Sequence, residues 1–188
     1  MKLKAKLVTT CAAFCLILCL TIVGVWAVAT ANIPMGGSVG FTATDVDATI
    51  SGSFSGISGS HALETLKLDA STTNVENVDG YTTWQNWKLN FADKTQDIVL
   101  TITVTNDNTK RAIDATFTNN TSALTNMTVS LAGGDAAGSA SYTSGTKVTI
   151  PAGQSVVFKV TLHVTDANDS ASATLAFALQ LVNVEAAA

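Results

Sequence analysis

The feature that most constrains this chain is a strict two-residue alternation of apolar and hydroxyl-bearing side chains. From Ile98 to Thr105 the apolar residues Ile98, Leu100, Ile102 and Val104 fall on one parity, and Val99, Thr101, Thr103 and Thr105 on the other. A helix would scatter that pattern around its surface, whereas a strand sorts it into one buried and one wet face. Val156 to Thr165 repeats it, with Val156, Phe158, Val160, Leu162 and Val164 on the inward parity. The chain holds 28 threonines and 15 serines, and most of them lie in such alternating segments. β-Branched residues fit a pleated surface well.

Shorter runs of the same kind occupy Val39 to Asp45, Asp47 to Phe54, Leu63 to Ala70, Trp87 to Phe91, Ile113 to Phe117, Met127 to Leu131, Thr146 to Ile150 and Ala173 to Val184. Between them lie clusters of Gly, Asn, Asp and Ser. No segment beyond the first thirty residues sustains a helical stripe. The expectation is an all-β domain, an antiparallel β-sandwich or jelly roll, preceded by an N-terminal apolar signal helix. The inward parity shifts between Phe41 and Ala48, which implies a bulge or a change of sheet near Asp45. Ala132 to Thr146, rich in Gly, Ala and Ser, reads as a mobile loop or hairpin tip, and Pro151-Ala152-Gly153 as a turn with Pro second and Gly fourth.

The first thirty residues differ. Lys2, Lys4 and Lys6 precede an uncharged stretch from Cys11 to Ala29, the order of a secretory leader. Cleavage is expected between Ala27 and Val28. An uncleaved anchor is the competing reading, since about 17 to 25 apolar residues span a bilayer. All three cysteines, Cys11, Cys15 and Cys19, lie inside this run. The processed chain of 161 residues would contain none, which excludes disulfides, thiol catalysis and thiolate metal sites there. It would carry seven basic against fourteen acidic residues. Nothing in that balance favours nucleic acid. The domain reading is therefore 1–27 leader, 28–44 N-terminal segment and 45–188 sandwich.

Motifs that would carry chemistry are few. His61 and His163 are the only histidines, and neither a Gly-x-Ser-x-Gly elbow nor a His-Glu-x-x-His pair occurs. The chain is read as no enzyme and as needing no cofactor. Asp45-Val46-Asp47 and Asp166-Ala167-Asn168-Asp169 gather oxygens of the kind calcium accepts, but both lack the distal bidentate carboxylate. Capping of a turn explains Asp166, Asn168 and Asp169 better. Tyr81, Trp84 and Trp87 form an aromatic cluster that would either stack on sugar rings at the surface or bury as core. Core is the stronger reading.

The leader end Gly24-Val25-Trp26-Ala27, followed by an all-β domain, resembles the exported bacterial matrix-fibre proteins of the TasA and camelysin type. That resemblance implies a secreted, cell-surface or extracellular subunit that polymerises when the N-terminal segment of one copy adds a strand to the next. Val28 to Phe41 is uncharged, contains Ile33, Val39 and Phe41, and is expected to be loosened by Gly36-Gly37. Partners would then be other copies of the chain, with a membrane contacted only through an uncleaved leader. The alternative is an adhesin or carbohydrate-binding module using Tyr81, Trp84 and Trp87 on a cell-surface glycan. An exported hydrolase ranks last.

Overall fold

A computed structural model describes residues 33–44, 46–56, 61–68, 84, 87–91, 97–122, 124, 127–165 and 173–184. These form eleven strands and, among the described residues, no helix. In chain order they are β1 (Ile33–Thr44), β2 (Ala48–Ser55), β3 (His61–Ala62), β4 (Leu66–Leu68), β5 (Trp87–Phe91), β6 (Ile98–Asn106), β7 (Ile113–Asn119), β8 (Met127–Asp135), β9 (Lys147–Ile150), β10 (Ser155–Val164) and β11 (Ala173–Asn183). One sheet has the order β5-β1-β11-β7-β9, and the other β3-β2-β6-β10-β8 with β4 also on β2. From β4 onward every successive strand lies in the opposite sheet. The arrangement is that of a β-sandwich.

The inward residues of both sheets meet in one core. The parity read from the sequence is the parity found: Ile98, Leu100, Ile102 and Val104 are buried, and so are Val156, Phe158, Val160, Leu162 and Val164. Phe117 of the first sheet stacks on Phe158 of the second at 5.5 Å between ring centres, and Phe54 meets Trp87 at 5.0 Å. These ring pairs tie the layers together beyond simple area burial. The expected shift of parity near Asp45 is a change of sheet, because β1 belongs to one layer and β2 to the other.

Two loop readings are corrected. Ala132 to Thr146 is anchored: β8 continues to Asp135, Ala132 bridges Ser141, and Gly133 N–H donates to Ala140 C=O at 2.8 Å. Tyr142 is buried at the centre of this segment. Its hydroxyl accepts from Phe117 N–H at 2.9 Å and reaches the carbonyls of Phe117 and Thr146 as a donor. Its ring packs edge-on to Phe158 at 5.1 Å. The turn after β9 is displaced by one residue from the expected frame. Gln154 N–H closes it onto Pro151 C=O, so Gly153, with φ of 71°, stands third.

Asn106 is the buried polar residue of the core, fully enclosed at the end of β6. Its Nδ2 donates to the carbonyls of Arg111 at 2.8 Å and Ile150 at 3.1 Å, and its Oδ1 accepts from Asn108 N–H. One side chain thus satisfies backbone groups of the β6–β7 turn and of the end of β9. Replacing it leaves the buried Ile150 carbonyl without that bond, at about 1–3 kcal/mol, and removes two part-buried bonds besides. Asn106→Ala is expected to lose roughly 3 kcal/mol in urea unfolding, within that per-group range; a loss below about 1 kcal/mol would show the knot to be dispensable.

Candidate functional site

The N-terminal segment is an integral strand of its own domain. β1 runs parallel to β11, in register from Met35 against Ala173 to Thr44 against Val182, and antiparallel to β5 from Ile33 against Phe91 to Gly37 against Trp87. The β1/β11 ladder is the parallel one among the named strands, and it joins the first of them to the last. Pro34 precedes the first β11 partner, so its missing N–H removes no bond from that ladder. Met35, Val39, Phe41 and Ala43 point into the core and are buried; Gly36, Ser38, Gly40 and Thr42 take the other parity.

Both tryptophans of the aromatic cluster clamp this strand. Trp84 C=O accepts from Val39 N–H at 2.9 Å, its indole N–H donates to Glu64 C=O at 2.6 Å, and its ring meets Phe41 edge-on at 4.9 Å. Trp87 lies across Gly37. A Cβ on Gly37 would stand 2.3 Å from Trp87 Cζ2 and 2.7 Å from Leu175 C=O, and one on Gly52 would stand 2.4 Å from Trp84 Cη2. These glycines are sockets for indole rings. Gly37 therefore tightens the strand where the sequence implied slack. Trp84 and Trp87 are 1% and 8% exposed, the core placement that is the stronger expectation for them, and neither offers its ring to a surface sugar. Trp87 Nε1 is buried without a hydrogen-bond partner. Such a group costs about 1–3 kcal/mol.

The link from β1 to β2 is short and latched. Val46 is buried, Asp47 C=O accepts from Asp107 N–H at 2.9 Å, and Asp47 Oδ2 accepts from Asn108 Nδ2 at 3.1 Å. Thr49 adds a hydroxyl bond to Asp107 Oδ2. Ala27, Val28, Tyr81, Asp166, Asn168 and Asp169, with the apolar leader, lie outside the described residues.

Polar groups elsewhere are paired across strands. His163 Nδ1 lies 2.6 Å from Asp97 Oδ1 on the outer face of the second sheet, both about half exposed. A polar contact so exposed adds little to stability, about 0–1 kcal/mol. Asp114 accepts from Thr149 Oγ1 at 2.6 Å and meets Lys147 Nζ at 2.9 Å. The Thr149 hydroxyl, opposed by partial burial and helped by Lys147, holds its carboxyl below the usual range. Burial pushes the Tyr142 phenol above its usual value, against the pull of the Phe117 backbone bond. Among the described residues no group of three or more His, Cys, Asp or Glu side chains is arranged to hold a metal. No protein-family model and no curated protein matches the chain.

Two outcomes follow for this site and its surroundings. Gly37→Ala is expected to destabilise by about 1–3 kcal/mol through overpacking, while Gly36→Ala, whose Cβ meets only Trp87 C=O at 3.5 Å, should be near neutral. Equal losses in urea unfolding would remove the socket from the account. The lowered Asp114 contributes stability that is complete above its unfolded value of 3.8 and fades as pH falls through its folded value. The raised Tyr142 contributes stability that is complete below 10.0 and fades as pH rises through its folded value. Melting temperature against pH should therefore show an acid limb that Asp114→Asn flattens and an alkaline limb that Tyr142→Phe flattens; limbs unchanged in both variants would contradict the assignment.

Proposed function

We propose that this chain is a secreted structural subunit that assembles into extracellular or cell-surface fibres by β-strand addition, with β1 as the exchanged strand. The observation that carries this reading is the position of β1: the first described strand, seated between β5 and β11, parallel to the last strand and joined to the body by a short link. Cleavage after Ala27 would leave five residues ahead of β1, so that it could leave its slot without dragging another named strand with it. The slot then offers open main-chain groups of β11 and a cavity shaped for Val39 and Phe41, and the matching strand of another copy satisfies both. Contacts made in cis and in trans are the same, so concentration decides between them. Each copy gives one strand and takes one, a head-to-tail relation that propagates without closing.

The alternation of successive strands between the two sheets supports the jelly-roll form of sandwich. The Lys2-to-Ala29 leader supports export with cleavage after Ala27, leaving the uncharged residues 28–32 ahead of β1.

A reversible lock tests the exchange. Ser38 and Ala176 are neighbours in the β1/β11 ladder, on the outward parity. Adjacent strands lie about 4.8 Å apart, inside the Cα separation a disulfide accepts. The processed chain would contain no other cysteine. Ser38→Cys with Ala176→Cys should give no fibres by electron microscopy when oxidised and normal fibres when reduced. Equal fibre formation in both states would reject strand exchange.

A further inference from the structure

We infer that Gly37 is the residue by which the slot selects its strand: the slot admits the matching strand of another copy of this chain in a single register and refuses strands with a side chain at that point. The inference rests on the fibre reading and adds to it the choice of partner. Its basis is the row Trp87–Gly37–Leu175, in which Gly37 has a register partner on each side. All three are buried, and the indole of Trp87 fills the place where a side chain on Gly37 would stand. A Cβ there would lie 2.3 Å from Trp87 Cζ2, 2.5 Å from Trp87 Cη2 and 2.7 Å from the Leu175 carbonyl oxygen.

Both obstacles belong to the part of the molecule that stays behind when β1 leaves. The Leu175 oxygen is main chain, in the strand that any incoming strand must join. The Trp87 ring is backed by Phe54 of β2 at 5.0 Å between ring centres. Trp84 beside it sits on Gly52 of β2, and its indole N–H donates to Glu64 C=O at 2.6 Å. The two rings are thus held from the opposite sheet as well as by β1. A wall formed in advance discriminates by collision, which is how an interface rejects a strand of nearly the right shape.

The same glycine fixes the register. The inward order of β1 is Met35, Gly37, Val39, Phe41, Ala43. Sliding an incoming strand by two residues keeps this apolar set inward but brings Met35 or Val39 against Trp87 and Leu175. Sliding it by one or three brings Gly36 or Gly40 there, yet turns Val39 and Phe41 to solvent and Ser38 and Thr42 into the core. One register alone sets a glycine under Trp87 while Phe41 meets Trp84 edge-on at 4.9 Å. The partner that satisfies it is the β1 of a second copy.

Mixed assembly tests this. A Gly37→Ala chain among wild-type chains takes the β1 of a wild-type copy, because its slot is unaltered, but offers a β1 that the next slot refuses. Electron microscopy should show fibres shortening as the Gly37→Ala fraction rises. A synthetic peptide of Ile33 to Thr44 should block growth of wild-type fibres, and its Gly37→Ala form should be weaker by roughly tenfold or more. The peptide arm does not depend on the folding of Gly37→Ala chains. Gly36→Ala, whose Cβ would meet only Trp87 C=O at 3.5 Å, should behave as wild type in both arms. Fibre length that Gly37→Ala chains leave unchanged, or a Gly37→Ala peptide as potent as the wild-type one, overturns the inference while strand exchange stands. Fibres that form equally from the oxidised and reduced Ser38→Cys/Ala176→Cys protein reject the exchange itself, and the inference with it.

Discussion

The seat of β1 is the constraint on which the rest of this fold depends. β5 has β1 as its strand partner among the described residues, and β11 is flanked by β1 on one side and β7 on the other. Removing β1 divides the first sheet and opens the core along Met35, Val39 and Phe41, each contributing about 1.5–3 kcal/mol through burial. The indole rings of Trp84 and Trp87 hold the strand from the side, on sockets that only glycine provides. β1, the first of the described strands, is thus an interior strand of its sheet, held between β5 and β11.

Energetics distribute unevenly around the slot. On the β11 side the ladder runs from Met35 to Thr44, while on the β5 side, among the described residues, it runs from Ile33 to Gly37 and is followed by the Val39–Trp84 bond. Trp87 Nε1 lies buried and unpartnered on the β5 side. The latch at Asp47, formed by Asp107 and Asn108, fixes where the strand turns into the second sheet. Asn106 stands beside that latch, opposite Ala48 in the β2/β6 ladder, and it and Tyr142 tie loops to strand ends through hydrogen bonds.

Much of this was legible in the sequence because period-two patterning reports directly on which side chains face the core. β6 and β10 are read correctly almost to the residue, and the change of sheet near Asp45 follows from a parity shift alone. Pairing is another matter. Nothing local in Ile33–Thr44 reveals that its partner is Ala173–Asn183, since parallel pairing of distant strands leaves no short-range signal. Gly37 reads as slack until Trp87, far along the chain, is seen to lie on it. Ala132 to Thr146 reads as a loop because its composition is small and polar, while its order comes from the continued β8, the Ala132–Ser141 bridge and Tyr142, whose hydroxyl bonds depend on β7. The aromatic cluster was open to two readings, and burial of Trp84 and Trp87 decides for the core.

The central claim is that β1 of one copy fills the slot of another in the assembled state. Solid-state NMR of fibres grown from an equal mixture of ¹⁵N-labelled and ¹³C-labelled protein isolates contacts between copies. Intermolecular ¹⁵N–¹³C correlations should link Val39 to Phe177, which are register partners in the β1/β11 ladder. Mixed fibres that lack this correlation, while fibres of doubly labelled protein diluted in unlabelled protein show it, would contradict strand exchange.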